Sequence, residues 1–237
     1  MSRQIKGLLY FFITNFRYSF LIFWSILTGV LVLSLIISYF LLSLEEAIYA
    51  FGFPFGTYFH VSFLGFLIVK EGIPFALKVG ATRKNIFLAI GIFFLGVALF
   101  QAIIANTVQF VTQLFVDAVN IHTFMFMYPA QLIGSENWFT MVFIDTAMMF
   151  LLLAASFVLG LLFYRGGLVV GGSIIGVLAI GLLFSIAQGW IIDYFIELYH
   201  TIDLVYFIQV LGIGVVLYGI SYFLVKTITT VNQGFGA

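Results

Sequence analysis

Apolar residues in this chain come in blocks about as long as a bilayer is thick, with short polar segments between them. A hydrocarbon core of about 30 Å takes about 20 apolar residues at 1.5 Å each. Windows of that length occupy 20–42, 50–69, 86–110, 138–164, 168–187 and 204–225, which predicts an all-α integral membrane protein with six transmembrane helices in one domain over 1–237. Gly52, Pro54 and Gly56 near the start of the second window predict a kink there, because proline removes a backbone donor and clashes with the preceding turn.

The periodicity changes outside these windows. Over 2–17, Arg3, Lys6, Tyr10, Thr14 and Arg17 recur at spacings of three and four, while Ile5, Leu8, Leu9, Phe12 and Phe16 take the other face. That is the pattern of an N-terminal interfacial helix in the headgroup plane, read as a retained anchor because the next span is too long for a signal-peptide core. After the third window, Asn106, Gln109, Gln113, Asp117 and Asn120 follow at helical spacings. The helix is expected to project with one polar face, read as solvated surface in preference to the lining of a vestibule. The apolar run 121–129 is expected to pack on the outer face of the protein or dip into the headgroups. Residues 189–202 set Trp190, Tyr194 and Tyr199 beside Asp193, Glu197 and His200 and predict a short interfacial or re-entrant segment.

Composition strengthens the lipid reading: 64% of residues are hydrophobic and 8% charged, against the roughly one-quarter charged of a soluble domain. The formal net charge is zero, which excludes a polybasic nucleic-acid binder, but its placement is asymmetric. Arg3, Lys6, Arg17, Lys70, Lys78, Arg83, Lys84, Arg165 and Lys226 all fall on one side of a six-span arrangement, together with Glu71. Glu45, Glu46, Asp117, Glu136, Asp193, Glu197 and Asp203 fall on the other. The positive-inside rule makes the basic side, and both termini, cytoplasmic. The chain has no cysteine, hence no disulfide, thiolate nucleophile or Cys-ligated metal.

The cytoplasmic segment between the second and third spans is the richest in signals. Pro74 suits the first turn of a helix, Gly80 the left-handed residue just past its end, and Thr82 the N-cap of the third span. A short helix over 72–80 is predicted, with Phe75, Leu77 and Val79 as apolar knobs beside Lys78. Pro74-Phe75-Ala76-Leu77 followed by Gly80-Ala81-Thr82-Arg83-Lys84 resembles the coupling-helix segment of small six-span permease subunits of bacterial ABC-2-type exporters. The order of spans and the short excursion before the last span are similar too.

That resemblance implies a permease of the bacterial plasma membrane, pairing with a second permease subunit as a homo- or heterodimer. Each coupling helix (Pro74, Phe75, Leu77, Lys78, Val79, Gly80, with Thr82, Arg83 and Lys84 at the corner) would sit on a cytoplasmic ABC ATPase subunit. It further implies a dimer seam at the first and fifth spans, where Ser25, Gly29, Gly167, Gly171, Gly172 and Gly176 would allow close helix approach. No G-x-x-x-x-G-K-[ST] loop occurs, so ATP and Mg are expected on the partner and no cofactor on this chain. The cargo is expected to be amphipathic or hydrophobic, such as a peptide, antibiotic or lipid.

Asp145 is the acidic residue placed within a span, and His60 is the titratable residue at comparable depth; they are candidates to approach each other or share a cavity, with Asn106 and Gln109 as further pathway candidates. The alternative is a hydrated Asp145 near the interface. A metal cluster of Asp193, Glu197 and His200 is not expected. Two rival functions remain: an accessory or sensory membrane subunit, and an intramembrane enzyme. Against the latter, Glu45-Glu46 begins like the E-E-x-x-x-R of membrane CAAX-type proteases, but position 50 is Ala, and no H-E-x-x-H or G-x-G-D is present.

Overall fold

Long apolar runs with few breakers fold as long helices, and the computed structural model, which describes residues 3–43, 48–135 and 137–228 (backbone alone at 199–200), is about 87% helical. Among the described residues, five helices are long and apolar enough to cross a membrane. The order is α1 (Arg3–Leu41), β1 (Tyr49–Phe51), α2 (Phe53–Leu67), a π-helical turn (Ile68–Gly72), α3 (Ile73–Lys78), α4 (Arg83–Val119), β2 (Phe124–Phe126), a 3-10 turn (Pro129–Ile133), α5 (Trp138–Ala187), α6 (Trp190–Thr201) and α7 (Leu204–Lys226).

Three segments differ from their sequence expectation. The interfacial helix and first span are one continuous helix, since nothing between Arg17 and Phe20 breaks it. The face expected to meet headgroups docks on the protein instead: Ile5, Leu8, Phe12 and Phe16 are buried, and Phe12 packs on Phe93 at 5.6 Å. The second window begins as a strand, with β1 pairing parallel to β2 in the register Tyr49↔Phe124 and Phe51↔Phe126, so α2 starts only at Phe53 with Pro54 in its first turn. The fourth and fifth windows run together through α5, kinked at Gly167. Its φ of 66° and ψ of −169° belong to a region open essentially to glycine alone. Gly167 therefore sets the kink, and a Cβ added there would meet open space within this chain.

The half of α5 before that kink is the core of the bundle, packed against α2, α4 and α7 through Ile144, Met149, Leu153, Phe157 and Leu161. Glycines outside the expected set allow the approach. A Cβ on Gly65 would stand 2.7 Å from the Leu153 carbonyl oxygen, and one on Gly160 would stand 2.9 Å from Val69. Beyond the kink, residues 168–187 and α6 are exposed almost throughout. Gly171 is buried against the Phe163 ring, while Gly29, Gly172 and Gly176 face open space and the exposed Ser25 hydroxyl donates to its own helix at Leu21 O, 2.8 Å. Glu45, Glu46 and Glu136 lie outside the described residues.

Candidate functional site

The polar stripe on α4 is divided: Asn106 and Gln109 are buried and Gln113 half-buried, while Asp117 and Asn120 are exposed as a solvated face would be. It walls a cavity of about 540 Å³ at the end of the bundle remote from Arg83, with Asn106, Gln109, Gln113 and Asp117 on one side. Phe124, Met125 and Phe126 of β2, Tyr128, Gln131, and Trp138 at the start of α5 complete the wall. The run 121–129 thus forms a cover over one side of the cavity: Phe124 and Phe126 are buried in the core with Trp24 and Phe53, while Met125 and Met127 stay partly exposed, as strand alternation requires, with Met125 also lining the cavity. The cover is pinned by hydrogen bonds. Thr123 Oγ1 donates to Ser38 O at 2.7 Å, and Gln131 Nε2 donates to Phe126 O at 2.7 Å.

Asp145 lies behind this wall, 3% exposed and two turns into α5. The Tyr58 hydroxyl of α2 donates to its Oδ1, and Asn106 Nδ2 of α4 donates to Oδ2 at 2.6 Å. Asn106 Nδ2 also donates to Ala102 O at 2.9 Å. One carboxylate therefore ties three helices, with both oxygens satisfied. No family model matches this chain, and neither does any curated protein or solved structure.

His60 belongs to a different junction. Its ring stacks on Phe23 at 4.2 Å, donates from Nδ1 to Gln101 Oε1 at 3.3 Å and bonds Ser19 Oγ through Nε2 at 3.2 Å, tying α1 to α2 and α4. The expected approach of His60 to Asp145 is replaced by these separate partners. Two residues along a helix turn the side chain by about 200°, so Tyr58 faces α5 when His60 faces α1. Sequence reading found Asp145, Asn106 and Gln109 but missed Tyr58, Gln101 and Ser19. Gln101, an amide inside an apolar span, carried the same signal as Asn106.

At the basic end, α3 does not stand apart as a two-turn helix. It continues α2 through the π turn, where Ile73 N donates to Ile68 O. The wider turn accommodates Pro74, which cannot donate. The corner after it closes as a Schellman motif: Ala81 N donates to Ala76 O and Gly80 N to Leu77 O, both at 3.0 Å, with Gly80 at φ 72°. Thr82 Oγ1 then accepts from Asn85 N and starts α4. Lys78, Val79, Gly80 and Lys84 are exposed, whereas Phe75 and Leu77 are half-buried, Phe75 by stacking on Phe11 at 3.6 Å. Arg83 is not a free cation. Its Nε donates to Ile228 O at 3.0 Å, and Nη2 joins the same oxygen just past α7. Asn85 Nδ2 donates to Gln4 Oε1 at 2.6 Å and Asn15 Nδ2 to Glu71 at 3.3 Å. Asp193 and Glu197 are exposed on α6, and the His200 side chain lies outside the described residues.

Proposed function

We propose that this chain is the membrane-spanning permease subunit of an ATP-driven bacterial exporter of the ABC-2 type, moving an amphipathic or hydrophobic cargo outward across the plasma membrane. In this reading the kink at Gly167 divides α5 into two spans, giving six, and the basic end of the bundle faces the cytoplasm with both termini. ATP and Mg bind a separate ATPase subunit, and a second permease subunit completes the pathway. The observation that carries the reading is the corner at 73–84. An exposed Lys78-Val79-Gly80 surface is joined without slack to α2 through the π turn and to α4 through the Schellman and Thr82 caps, so a push there moves two long helices. The convergence of Gln4, Glu71, Arg83 and Ile228 at the same end supports placing the basic segments together.

The chain's lack of cysteine makes the test direct. A Val79→Cys variant carrying a benzophenone at its single thiol is photolysed in native membranes. Crosslinking to a protein with a P-loop ATPase domain, absent from a Tyr39→Cys control at the far end, is the expected result. An ATPase missing from the Val79 products, with a labelled and folded chain, would leave the accessory-subunit reading.

A further inference from the structure

The apolar face of 3–17 docks on the protein, but the polar stripe of the same helix does not: Arg3, Lys6, Tyr10, Thr14 and Arg17 all stay exposed. Beside the stripe lies a groove of about 390 Å³ between α1 and α4, apolar throughout, lined by Leu9, Ile13 and Phe16 from one helix and by residues within 92–100 of the other. Gly96 leaves it open, since a Cβ there would meet nothing within 4 Å. At about 100° per residue, Lys6 and Arg17 lie within about 40° of Ile13 around α1, on the rim of the groove. No acidic residue occurs in 3–41 or 83–116, so these cations face no carboxylate on either helix of the groove. Glu71 reaches α1 from α2 and is met by Asn15 at 3.3 Å, about 180° around the helix from Lys6. That contact also sets a level. Lys70 and Glu71 end the apolar window 50–69, so the hydrocarbon boundary passes near Asn15. Leu9 then stands about 9 Å on the headgroup side of it, while Phe20, whose ring meets Phe100 at 5.5 Å, stands about 8 Å on the hydrocarbon side. The groove thus runs from the headgroup layer into the hydrocarbon with cations on its rim, the complement of an anionic amphiphile. A second copy docked here about a two-fold axis would set the same cations against each other.

We propose that the α1–α4 groove is a binding site for an anionic phospholipid of the inner leaflet, with one acyl chain lying over Gly96 and the phosphate held by Lys6 and the Tyr10 hydroxyl. Arg17 snorkels toward the same headgroup from below. The choice of leaflet rests on the membrane orientation in the export reading; the lipid site itself rests on the groove and the stripe.

Native mass spectrometry of the full chain released from nonionic detergent counts bound lipids directly. Palmitoyl-oleoyl phosphatidylglycerol is expected to fill a first site about fivefold or more tighter than phosphatidylcholine with the same chains, since each Lys or Arg adds roughly fivefold for an anionic headgroup. Dihexanoyl phosphatidylglycerol, which has the headgroup but chains too short to run along the groove, should not compete for that site. Lys6→Gln should weaken phosphatidylglycerol by about fivefold and leave phosphatidylcholine unchanged. Gly96→Leu, which fills the groove, should weaken the first site for both lipids by about tenfold. Gly212→Leu, the same change at an exposed position of α7 that also faces open space, should leave the site intact. Equal affinity for the two lipids in the wild type, an unchanged Lys6→Gln, or a Gly96→Leu that behaves as Gly212→Leu would overturn the proposal. So would a dimer that Gly96→Leu dissociates with no difference between lipids, which would give the groove to a second copy. If Gly96→Leu fails to fold, the wild-type comparison and Lys6→Gln, a change at an exposed side chain, still decide. No ATPase enters the titration, so its failure refutes the lipid site and leaves the export reading to the crosslinking experiment, while a failed crosslink leaves the lipid site standing.

Discussion

Replacing Tyr58 by Phe removes one donor from Asp145 and changes nothing else in shape. Two magnitudes bracket the cost. A hydrogen bond to a charged acceptor contributes about 1.5–3 kcal/mol in proteins, but side-chain bonds between membrane helices average about 0.6 and reach about 1.7, because the unfolded chain in lipid also finds partners. Tyr58 and Asp145 are 6% and 3% exposed, and the acceptor is a carboxyl with one other donor, so the loss should sit at the upper end of the membrane range, about 1.5 kcal/mol. The background decides whether the bond is the cause. In Asp145→Leu the hydroxyl is stranded among apolar side chains, and an unsatisfied buried hydroxyl is itself unfavourable by about 1–3 kcal/mol. Tyr58→Phe should therefore destabilise the wild type and be neutral or stabilising in Asp145→Leu. Reversible unfolding in mixed micelles, followed by far-UV circular dichroism over the four-member cycle, measures both. The same loss in both backgrounds would refute the three-helix junction.

Other positions give sharper contrasts. Gly65→Ala should destabilise by about 1–3 kcal/mol, since its Cβ would meet the Leu153 carbonyl, whereas Gly172→Ala, which faces open space, should be neutral or slightly stabilising in the same unfolding assay. Gly80→Ala forces a Cβ into the left-handed region, costs about 1 kcal/mol, and should loosen the corner enough to speed amide exchange at Gly80 and Ala81. Arg83→Gln loses the paired donors on Ile228 O; exchange at 225–228 should quicken while Arg83→Lys, keeping one donor, falls between. Gly167→Ala should remove the kink, so that spin labels at Leu152→Cys and Val177→Cys move toward the roughly 38 Å of a straight helix by double electron–electron resonance.

The long apolar helices and the corner were legible because each rests on short-range rules. Apolar length marks a helix in lipid, and Gly80 followed by Thr82 marks a stop and a start that depend on a few residues. What stayed hidden depended on long-range packing. The face of 2–17 was read correctly as apolar, but whether it meets lipid or protein is decided by Phe75 and Phe93, which lie far along the chain. The small-residue rule picked Gly172 and Gly176, which face open space within this chain, and overlooked Ser156 with Gly160, a small pair at the same four-residue spacing that lies against α2 and the π turn. The polar stripe on α4 was visible as a stripe; that β2 folds over it follows from pairing Phe124 with Tyr49, a parallel contact between distant segments with no local signature.

The two ends of the molecule are not independent on the export reading. Helix α4 has 37 residues, about 55 Å, and carries the Thr82 cap at one end and the cavity wall at the other. Helix α2 meets the same corner through the π turn and the same junction through Tyr58. A tilt imposed at Val79 therefore reaches Asp145 along both helices, and the carboxyl can follow only if α5 moves with them. If α5 holds, one of the two donors must leave, at about 1.5 kcal/mol by the estimate above, which is small beside what a bound ATPase can supply. Loss of the Asn106 bond is the consequential case, because Asn106 also lines the cavity and its release carries motion at the corner to the cavity wall. A 19F resonance of 5-fluorotryptophan at Trp138, which lines the same cavity, should then move when the ATPase binds, and should move less in Asn106→Leu, which removes the shared residue. A Trp138 resonance that is unchanged by ATPase binding in the wild type would sever the corner from the cavity.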